Sequence, residues 1–412
     1  MTAPSGRAAT AGDAILGVAP AVVYDPASPE EAAAVIKETA LEHKSLAFVG
    51  GATDIDLGPP PSRLDAVVKT GRLSRVLEHA PSDQIVVVEA GATLAALQEA
   101  LAPHGQQLAL DPPLPGRATV GGILAANAFG PRRARYGSVR DLVIGLSLVR
   151  ADGTLARGGS KVVKNVAGLD LPKLLVGSLG TLGLIVSTTF RLHPLPEDSA
   201  TILAPGRDAK SVRALVAKIR DAQLEPTSVV AIWREGAFDV GVRFEGFRAG
   251  VADQRDRLLA LQGNGGAQAC ESLDAAAAKA FWERHDTLRV EGTLRAKLTA
   301  LPNAIEEIAE DLLPPLLSVL ERPGFLWYAT LGLGFVSGDV GSPESAASAI
   351  DRTRRLLARS DGSLTLSAAP GSLRAHVDVW GPAPSSLALM KSVKERLDPD
   401  RRLNPGRFVG GI

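Results

Sequence analysis

The sequence predicts an α+β fold in two domains. Three observations carry this. At 412 residues the chain is long enough for two domains and a sizeable core. Three glycine-rich stretches in the first half each lie beside an apolar run. Beyond His193-Pro194-Leu195-Pro196, which reads as a linker, helix and strand patterns follow a β-α-β-β-α-β order, that of a ferredoxin-like sheet.

Residues 1 to 18, with Arg7 and scattered Ala and Gly, read as a flexible tail. Residues 20 to 80 form a small α/β piece. Its helix start is marked by Ser28 as N-cap, Pro29 in the first helical position and Glu31 completing a capping box. Ala34, Ile36, Ala40 and Leu41 make one apolar face, and Ser45 to Val49 is a buried strand. Gln84 to Glu89 is the next strand. Thr93 caps a helix through Leu94, Leu97 and Leu101, which ends at His104-Gly105. Val143 to Val149 is a strand, Asp152-Gly153 its turn and Thr154 to Arg157 its return. Leu184 to Leu192 alternates like a half-buried strand.

The first glycine stretch is Phe48-Val49-Gly50-Gly51-Ala52-Thr53-Asp54, where a strand runs out into backbone amides. The second, Thr119 to Arg133, has Gly121, Gly122, Ala125, Asn127 and Gly130 and no acidic side chain. Glycines let backbone approach a large ligand closely, unpaired amides bind anionic oxygens, and the arginines that follow favour negative charge. The third is Gly177-Ser178-Leu179-Gly180-Thr181-Leu182-Gly183. None fits G-x-G-x-x-G after a strand or G-x-x-x-x-G-K-[ST], which disfavours a nicotinamide Rossmann enzyme and a P-loop NTPase.

In the second half, Asp208 to Ala222 and Ala252 to Gln262 read as helices. Thr227 to Trp233, Ala237 to Phe244 and Leu326 to Leu331 read as strands. Phe281-Trp282-Glu283-Arg284 reads as a core-facing aromatic pair with solvated charges, and Ala275 to Ala280 as helix. Leu294, Arg295 and Lys297 read as a solvated helix face, with a cation site for a carboxylate as the alternative. No internal repeat is visible.

The three glycine stretches, in their order, with Arg135-Tyr136-Gly137-Ser138-Val139-Arg140-Asp141 between them, resemble the FAD-binding domain of the vanillyl-alcohol oxidase superfamily, the PCMH-type fold. Gly130-Pro131-Arg132-Arg133, Gly137 to Asp141, Lys164-Asn165-Val166-Ala167-Gly168 and Asn404-Pro405-Gly406-Arg407 are most similar to the FAD-binding subunit of bacterial glycolate oxidases. The resemblance is strong over residues 20 to 195 and the last fifteen or so. It implies a two-part FAD-binding domain over 19–196 and a smaller ferredoxin-like cap over 197–395. Residues 396–412 would then return to the FAD domain.

The resemblance also implies which residues meet the cofactor. Gly50, Gly51, Ala52, Thr53 and Asp54 would hold the FAD pyrophosphate. Thr119, Gly121, Gly122, Ala125, Asn127 and Gly130 would run along pyrophosphate and flavin, with Gly137 nearby. Gly180, Gly183 and Ile185 would hold the adenine side or the ring edge. Relatives that attach FAD covalently carry a His where this chain has Ala52, or a Cys near Gly116, Arg117 and Ala118, so FAD is expected to bind non-covalently. Relatives that oxidise D-2-hydroxy acids use a His pair for a metal. Arg374-Ala375-His376-Val377-Asp378 offers one His without a partner, so no metal site and no catalytic residue is assigned.

The implied function is the FAD-binding subunit of a glycolate oxidase complex. Electrons from a 2-hydroxy acid would pass through the flavin to an iron–sulfur subunit, beside a flavoprotein catalytic subunit. A self-sufficient FAD-dependent dehydrogenase and a non-catalytic scaffold are the alternatives. The bulk composition agrees. Forty-five basic residues balance 45 acidic ones, so no net field points to nucleic acid. The single cysteine, Cys270, cannot supply a cluster that needs several thiolates. No stretch approaches the ~20 apolar residues of a membrane span, and no signal-peptide core is visible. A cytoplasmic protein, peripheral to the inner membrane only through its partners, is expected.

Overall fold

The computed structural model describes residues 4–161, 170–261 and 269–412. The Lys164 to Gly168 motif lies outside the described residues. The chain divides into two units, one of residues 1–130, 137–194 and 382–412 and one of 131–136 and 195–381. The return to the first unit therefore begins at Pro382, not at 396. The helix Leu387–Leu397 explains the shift, because its Val393 and Leu397 pack on the first unit's core.

In the first unit, strands Val22–Tyr24, Ala66–Lys69 and Leu46–Val49 pair in parallel. The connecting helix Pro29–Leu41 starts as its sequence dictates. Ser28 accepts the Glu31 N–H at 3.1 Å, and Glu31 reaches back to the Ala27 N–H at 2.7 Å. Val35 and Ile36 are buried against Leu46, Ala66 and Val68. A second, antiparallel sheet runs in the order Val76–Ala80, Ile85–Glu89, Leu184–Arg191, Val143–Val149, Leu155–Gly159. Thr93 caps the helix Leu94–Leu101 as expected, its side chain accepting the Ala96 N–H.

The N-terminal stretch is not a loose tail. Arg7–Ala8 pairs with Val22 and Val23. Asp13 takes ion pairs from Arg7 at 2.8 Å and Lys69 at 2.7 Å. Ile15 is buried with Val23, Ala47, Leu64 and Val67. A short segment needs little apolar area when two cations and one strand partner hold it.

The second unit is one eight-stranded sheet, and it is two ferredoxin-like units side by side. The first runs through strand Asp198–Arg207, helix Ala209–Asp221, strands Ser228–Arg234 and Ala237–Gly246, helix Arg248–Ala260 and strand Glu271–Ser272. The second runs through strand Leu294–Thr299, a helical stretch over 302–317, strands Leu320–Tyr328 and Leu333–Val340, helix Pro343–Leu357 and strand Ser363–Ala368. Each half orders its strands 4-1-3-2, with antiparallel neighbours. The halves join where Ala231 faces Trp327. This repeat of topology leaves no repeat in the residues, because a packed face needs only apolar side chains of suitable volume.

Alternation along the strands separates the two faces. Val229, Ala231, Phe325, Trp327, Leu294, Ala296 and Leu298 meet the four long helical segments in one core. The other face carries Thr201, Gly241, Tyr328, Phe335 and Ser337 under the helix Ala275–Val290. There Trp282 Nε1 donates to Thr201 Oγ1 at 3.0 Å, and Phe281 lies over Gly241, where a Cβ would sit 2.3 Å from its ring. Leu294 to Lys297 belongs to a strand, not to the expected solvated helix face. Its alternation puts Arg295 and Lys297 opposite the apolar core.

Ile15 supplies a test of the N-terminal packing. Ile15→Ala should lower stability by about 2–4 kcal/mol, the usual cost of emptying a buried aliphatic site. The urea midpoint of unfolding checks this, and an unchanged midpoint would mean that the stretch is loose after all.

Candidate functional site

The first glycine stretch leaves strand Leu46–Val49 and turns at Ala52, whose φ is +55°. Among the described residues, the N–H groups of Gly50, Gly51, Ala52 and Thr53 donate to no protein acceptor. Consecutive unengaged amides around a left-handed residue form a concavity suited to an anion. The loop lies tightly on the second stretch. A Cβ at Gly50 would be 2.1 Å from Thr119 Oγ1, and one at Gly51 would be 1.7 Å from the Arg117 carbonyl oxygen.

The second stretch is a helix over Val120–Ala126 rather than a loop. Thr119 caps it by accepting the Gly122 N–H at 3.3 Å, and Asn127 ends it with a φ of 51°. Val120, Ile123 and Leu124 are buried at helical spacing, leaving Gly121, Gly122 and Ala125 to face outward from that core. The arginines that follow are not a phosphate clamp. Arg132 pairs with Glu245, its Nε 3.0 Å from Oε2, and Arg135 pairs with Glu225 at 2.6 Å, all within the second unit.

These pieces and the third stretch line an open cleft in the first unit. Gly50, Gly51, Ala52, Thr53, Asp54, Thr119, Gly121, Gly122, Ala125, Gly180, Gly183 and Ile185 line it. Asn127, Gly130 and Gly137 do not. Gly130 is there for packing, since a Cβ would fall 2.1 Å from the Asp111 carbonyl oxygen. Gly137 has a φ of +83° beside the capping pair Ser138 and Asp141. Sequence reasoning missed Ile15, Thr70, Asn404 and Arg407 as lining residues. The Asn404 to Arg407 motif was a signal for two of them. Ile15 and Thr70 carry no local one.

The cleft fits a large, mostly uncharged ligand with one anionic part. Asp54 and Arg407 are the ionisable side chains of the lining, Thr53, Thr70, Thr119 and Asn404 are its uncharged polar ones, and the remainder is apolar side chain or glycine backbone. The buried Asn127 Oδ1 also lacks a partner among the described residues. A dinucleotide with a pyrophosphate meets these demands, because the amides of one loop can take the charge while the small residues admit a flat ring.

The second unit holds a separate polar cluster on the sheet face opposite its core. His285 Nε2 lies 2.7 Å from the Tyr328 hydroxyl, and its Nδ1 lies 2.8 Å from Asp286 Oδ1. Arg289 also donates to the Tyr328 oxygen, so the hydroxyl proton points at His285. Burial pushes the His285 imidazole below its ordinary value, which keeps it neutral. The Arg289 guanidinium lies 3.8 Å from the Phe335 ring centre. Lys297 faces Phe335 across the strands and so joins this group. Burial lowers its ammonium pKa, and the nearby Arg133 and Arg289 lower it further. No hydrogen bond or ion pair satisfies Lys297 among the described residues. No group of three or more His, Cys, Asp or Glu among the described residues is placed to hold a metal.

Two family models match, an FAD binding domain over residues 20–159 and the C-terminal domain of FAD linked oxidases over 333–408. The chain therefore carries an FAD binding domain and the C-terminal domain of FAD linked oxidases. It is an oxidoreductase with FAD as its cofactor. The chain is 28% identical to a D-2-hydroxyglutarate dehydrogenase of Xanthomonas citri pv. viticola, over 94% of the chain and 89% of that protein. It is 29% identical to a D-lactate dehydrogenase of Archaeoglobus fulgidus, over 71% of the chain and 67% of the relative. It is 33% identical to glycolate oxidase subunit GlcE of Escherichia coli, over 44% of the chain and 51% of that subunit. Its fold is shared with alkyldihydroxyacetonephosphate synthase (TM-score 0.73, 18% identity, covering 95% of this chain and 78% of that one). It is also shared with p-cresol methylhydroxylase (TM-score 0.73, 15% identity, covering 94% of this chain and 88% of that one). The expected PCMH-type α+β fold is therefore the observed one. No helix among the described residues is long and apolar enough to cross a membrane.

Two outcomes follow for the chain. Acid precipitation should release its flavin into the supernatant, since Ala52 offers no nucleophile for attachment; yellow colour left in the pellet would contradict this. Gly122→Asp should remove FAD binding by adding a carboxylate in the cleft. A Cβ there meets only the Thr119 hydroxyl, at 3.0 Å, so the fold should survive. Flavin content and far-ultraviolet circular dichroism of the purified variant check both halves of that statement.

Proposed function

We propose that this chain is the FAD-binding subunit of a glycolate-oxidase-type complex. It would take electrons from a 2-hydroxy acid such as glycolate and pass them to an iron–sulfur partner beside a flavoprotein catalytic subunit. FAD would lie in the cleft of the first unit. The amides of Gly50 to Thr53 would hold the pyrophosphate. Thr119, Gly121, Gly122 and Ala125 would let the flavin approach, and Gly180, Gly183 and Ile185 would hold the adenine side or the ring edge. When bound, FAD supplies the two-electron redox chemistry.

The observation that carries the partner assignment is the cysteine count. Cys270 is the one cysteine of the chain, half-buried with its sulfur 3.6 Å from an Arg207 nitrogen. An iron–sulfur cluster needs several thiolates, so in this reading a carrier of that type would belong to another chain. The glycolate oxidase subunit GlcE, to which 44% of the chain is similar, has a name that fits such an assembly.

A second reading is a self-sufficient FAD-dependent 2-hydroxy-acid dehydrogenase. The Lys297 cluster favours it. A half-buried ammonium beside Arg133 and Arg289 is destabilised until an anion arrives. A substrate carboxylate is such an anion, and Lys297 would bind and orient it. The match to D-2-hydroxyglutarate dehydrogenase over nearly the whole chain points the same way.

The experiment compares dye reduction with glycolate and D-lactate for the purified chain and for the complex recovered from its native host. The subunit reading expects little turnover alone and full turnover in the complex. Rapid turnover by the chain alone would overturn it in favour of the second reading. Wherever turnover is measured, Lys297→Met should raise KM about tenfold or more, the loss of one charged hydrogen bond, with flavin content unchanged. The same KM in the unsubstituted chain should rise as pH climbs through the lowered ammonium pKa, because only the protonated lysine holds a carboxylate.

A further inference from the structure

The first unit contains a buried ion pair that does not touch the FAD cleft yet is bonded to its wall. Lys394, on the helix Leu387–Leu397, is 2% exposed, and Asp398 is fully buried. The Lys394 ammonium donates to Asp398 Oδ2 at 2.6 Å, to the Leu403 carbonyl at 2.9 Å and to the Thr181 carbonyl at 2.8 Å. Asp398 in turn accepts the N–H groups of Arg402 and Leu403, which sets the turn that follows. Every donor of the ammonium is used, and one bond leaves the C-terminal segment for the third glycine stretch.

The same segment reaches both sides of the cleft. Asn404 Nδ2 donates to the Leu179 carbonyl at 2.8 Å, where Leu179 and Gly180 both have positive φ. Arg407 donates to the Ile55 carbonyl at 2.6 Å and the Pro59 carbonyl at 2.8 Å, just past the first glycine stretch. Between them, Leu46 N–H donates to the Arg402 carbonyl and Asn404 N–H to the Leu46 carbonyl, on the strand that delivers Gly50.

We propose that residues 394–407 form a clamp whose docking is coupled to FAD binding, with Lys394 and Asp398 as its positioning residues. The clamp holds the third stretch through Thr181 and Leu179 and the first through Ile55 and Pro59, which sets the distance between the two walls. The proposal rests on the reading that FAD lies in the cleft of the first unit, and not on which substrate or partner reading holds. Linkage makes the coupling reciprocal: the factor by which a docked clamp strengthens FAD binding is the factor by which FAD strengthens docking.

Limited trypsin digestion of the full chain, with and without saturating FAD, tests this. Lys391, Arg396 and Arg401 are exposed cleavage sites at or beside the clamp, and Lys210 and Lys279 are exposed sites in the second unit. FAD should slow cleavage at the three clamp sites at least tenfold and leave the other two unchanged. Equal protection at all five, or none at the clamp, would overturn the proposal. Flavin fluorescence titration of the paired variant Lys394→Met with Asp398→Asn, which leaves no charge stranded, should show FAD affinity lowered at least tenfold. An unchanged affinity would also overturn it. If the paired variant does not fold, the digestion of the natural chain decides alone.

Discussion

The backbone exchange between Leu46 and residues 402–404 is the joint on which the first unit depends. It sews the last residues of the chain, as a parallel bridge, beside the strand that ends in Gly50. Arg402 locks the joint from within, donating to the Lys44 and Ala151 carbonyls at 2.8 and 2.6 Å while only 1% exposed. A guanidinium suits this place because its rigid fork reaches two carbonyls at once. The two strands of the joint also lead directly to the Gly50 to Asp54 loop and to Asn404 and Arg407, which line the cleft.

The two units solve different problems with the same economy of charge. In the first, glycines, small residues and aliphatic side chains line most of the cleft, with Asp54 and Arg407 as its ionisable groups, so much of the field there comes from oriented amides. In the second, cations gather on one sheet face. Arg132 and Arg135 have carboxylates as partners, and Arg289 is engaged by Tyr328 and Phe335. Lys297 is left among like charges. Amides can meet an anion without the desolvation cost of a buried ion, whereas a buried ammonium gains only when a counter-charge comes.

The glycine stretches show how close the link is between residue size and chemistry. Gly51 has no room for a Cβ because the Arg117 carbonyl occupies its place, and Gly121 has none because Ala90 does. These contacts stack the loop, the helix Val120–Ala126 and the strand Ile85–Glu89 closely enough to form one wall. The same glycines that a ligand needs are thus already needed by the packing. A glycine pattern alone therefore does not separate Gly130 and Gly137, which serve turns and contacts, from Gly122, which faces the cleft.

Much of the fold was legible in the residues because its signals are local. The cap at Ser28, the cap at Thr93, the Asp152-Gly153 turn and the strand at Leu184 each follow from a few neighbouring side chains, although that strand, Leu184–Arg191, is buried on both faces rather than half-buried. So did most of the cleft, since small residues beside strand ends are visible in sequence. What tertiary structure alone decided is long-range. Ile15 and Thr70 join the cleft only because distant strands pair, and the N-terminal stretch is ordered by contacts with Val22, Val23 and Lys69 that its own residues do not announce. Leu294 to Lys297 is too short and mixed to choose helix or strand without its neighbours Leu333–Val340 and Ser363–Ala368. By itself the sequence determined most of the elements, the glycine-rich wall of the cleft and the lack of thiolates for a cluster. Which charges are neutralised, which glycines face a ligand and what holds the C-terminal segment in place depended on contacts between residues hundreds of positions apart. No local pattern encodes such contacts.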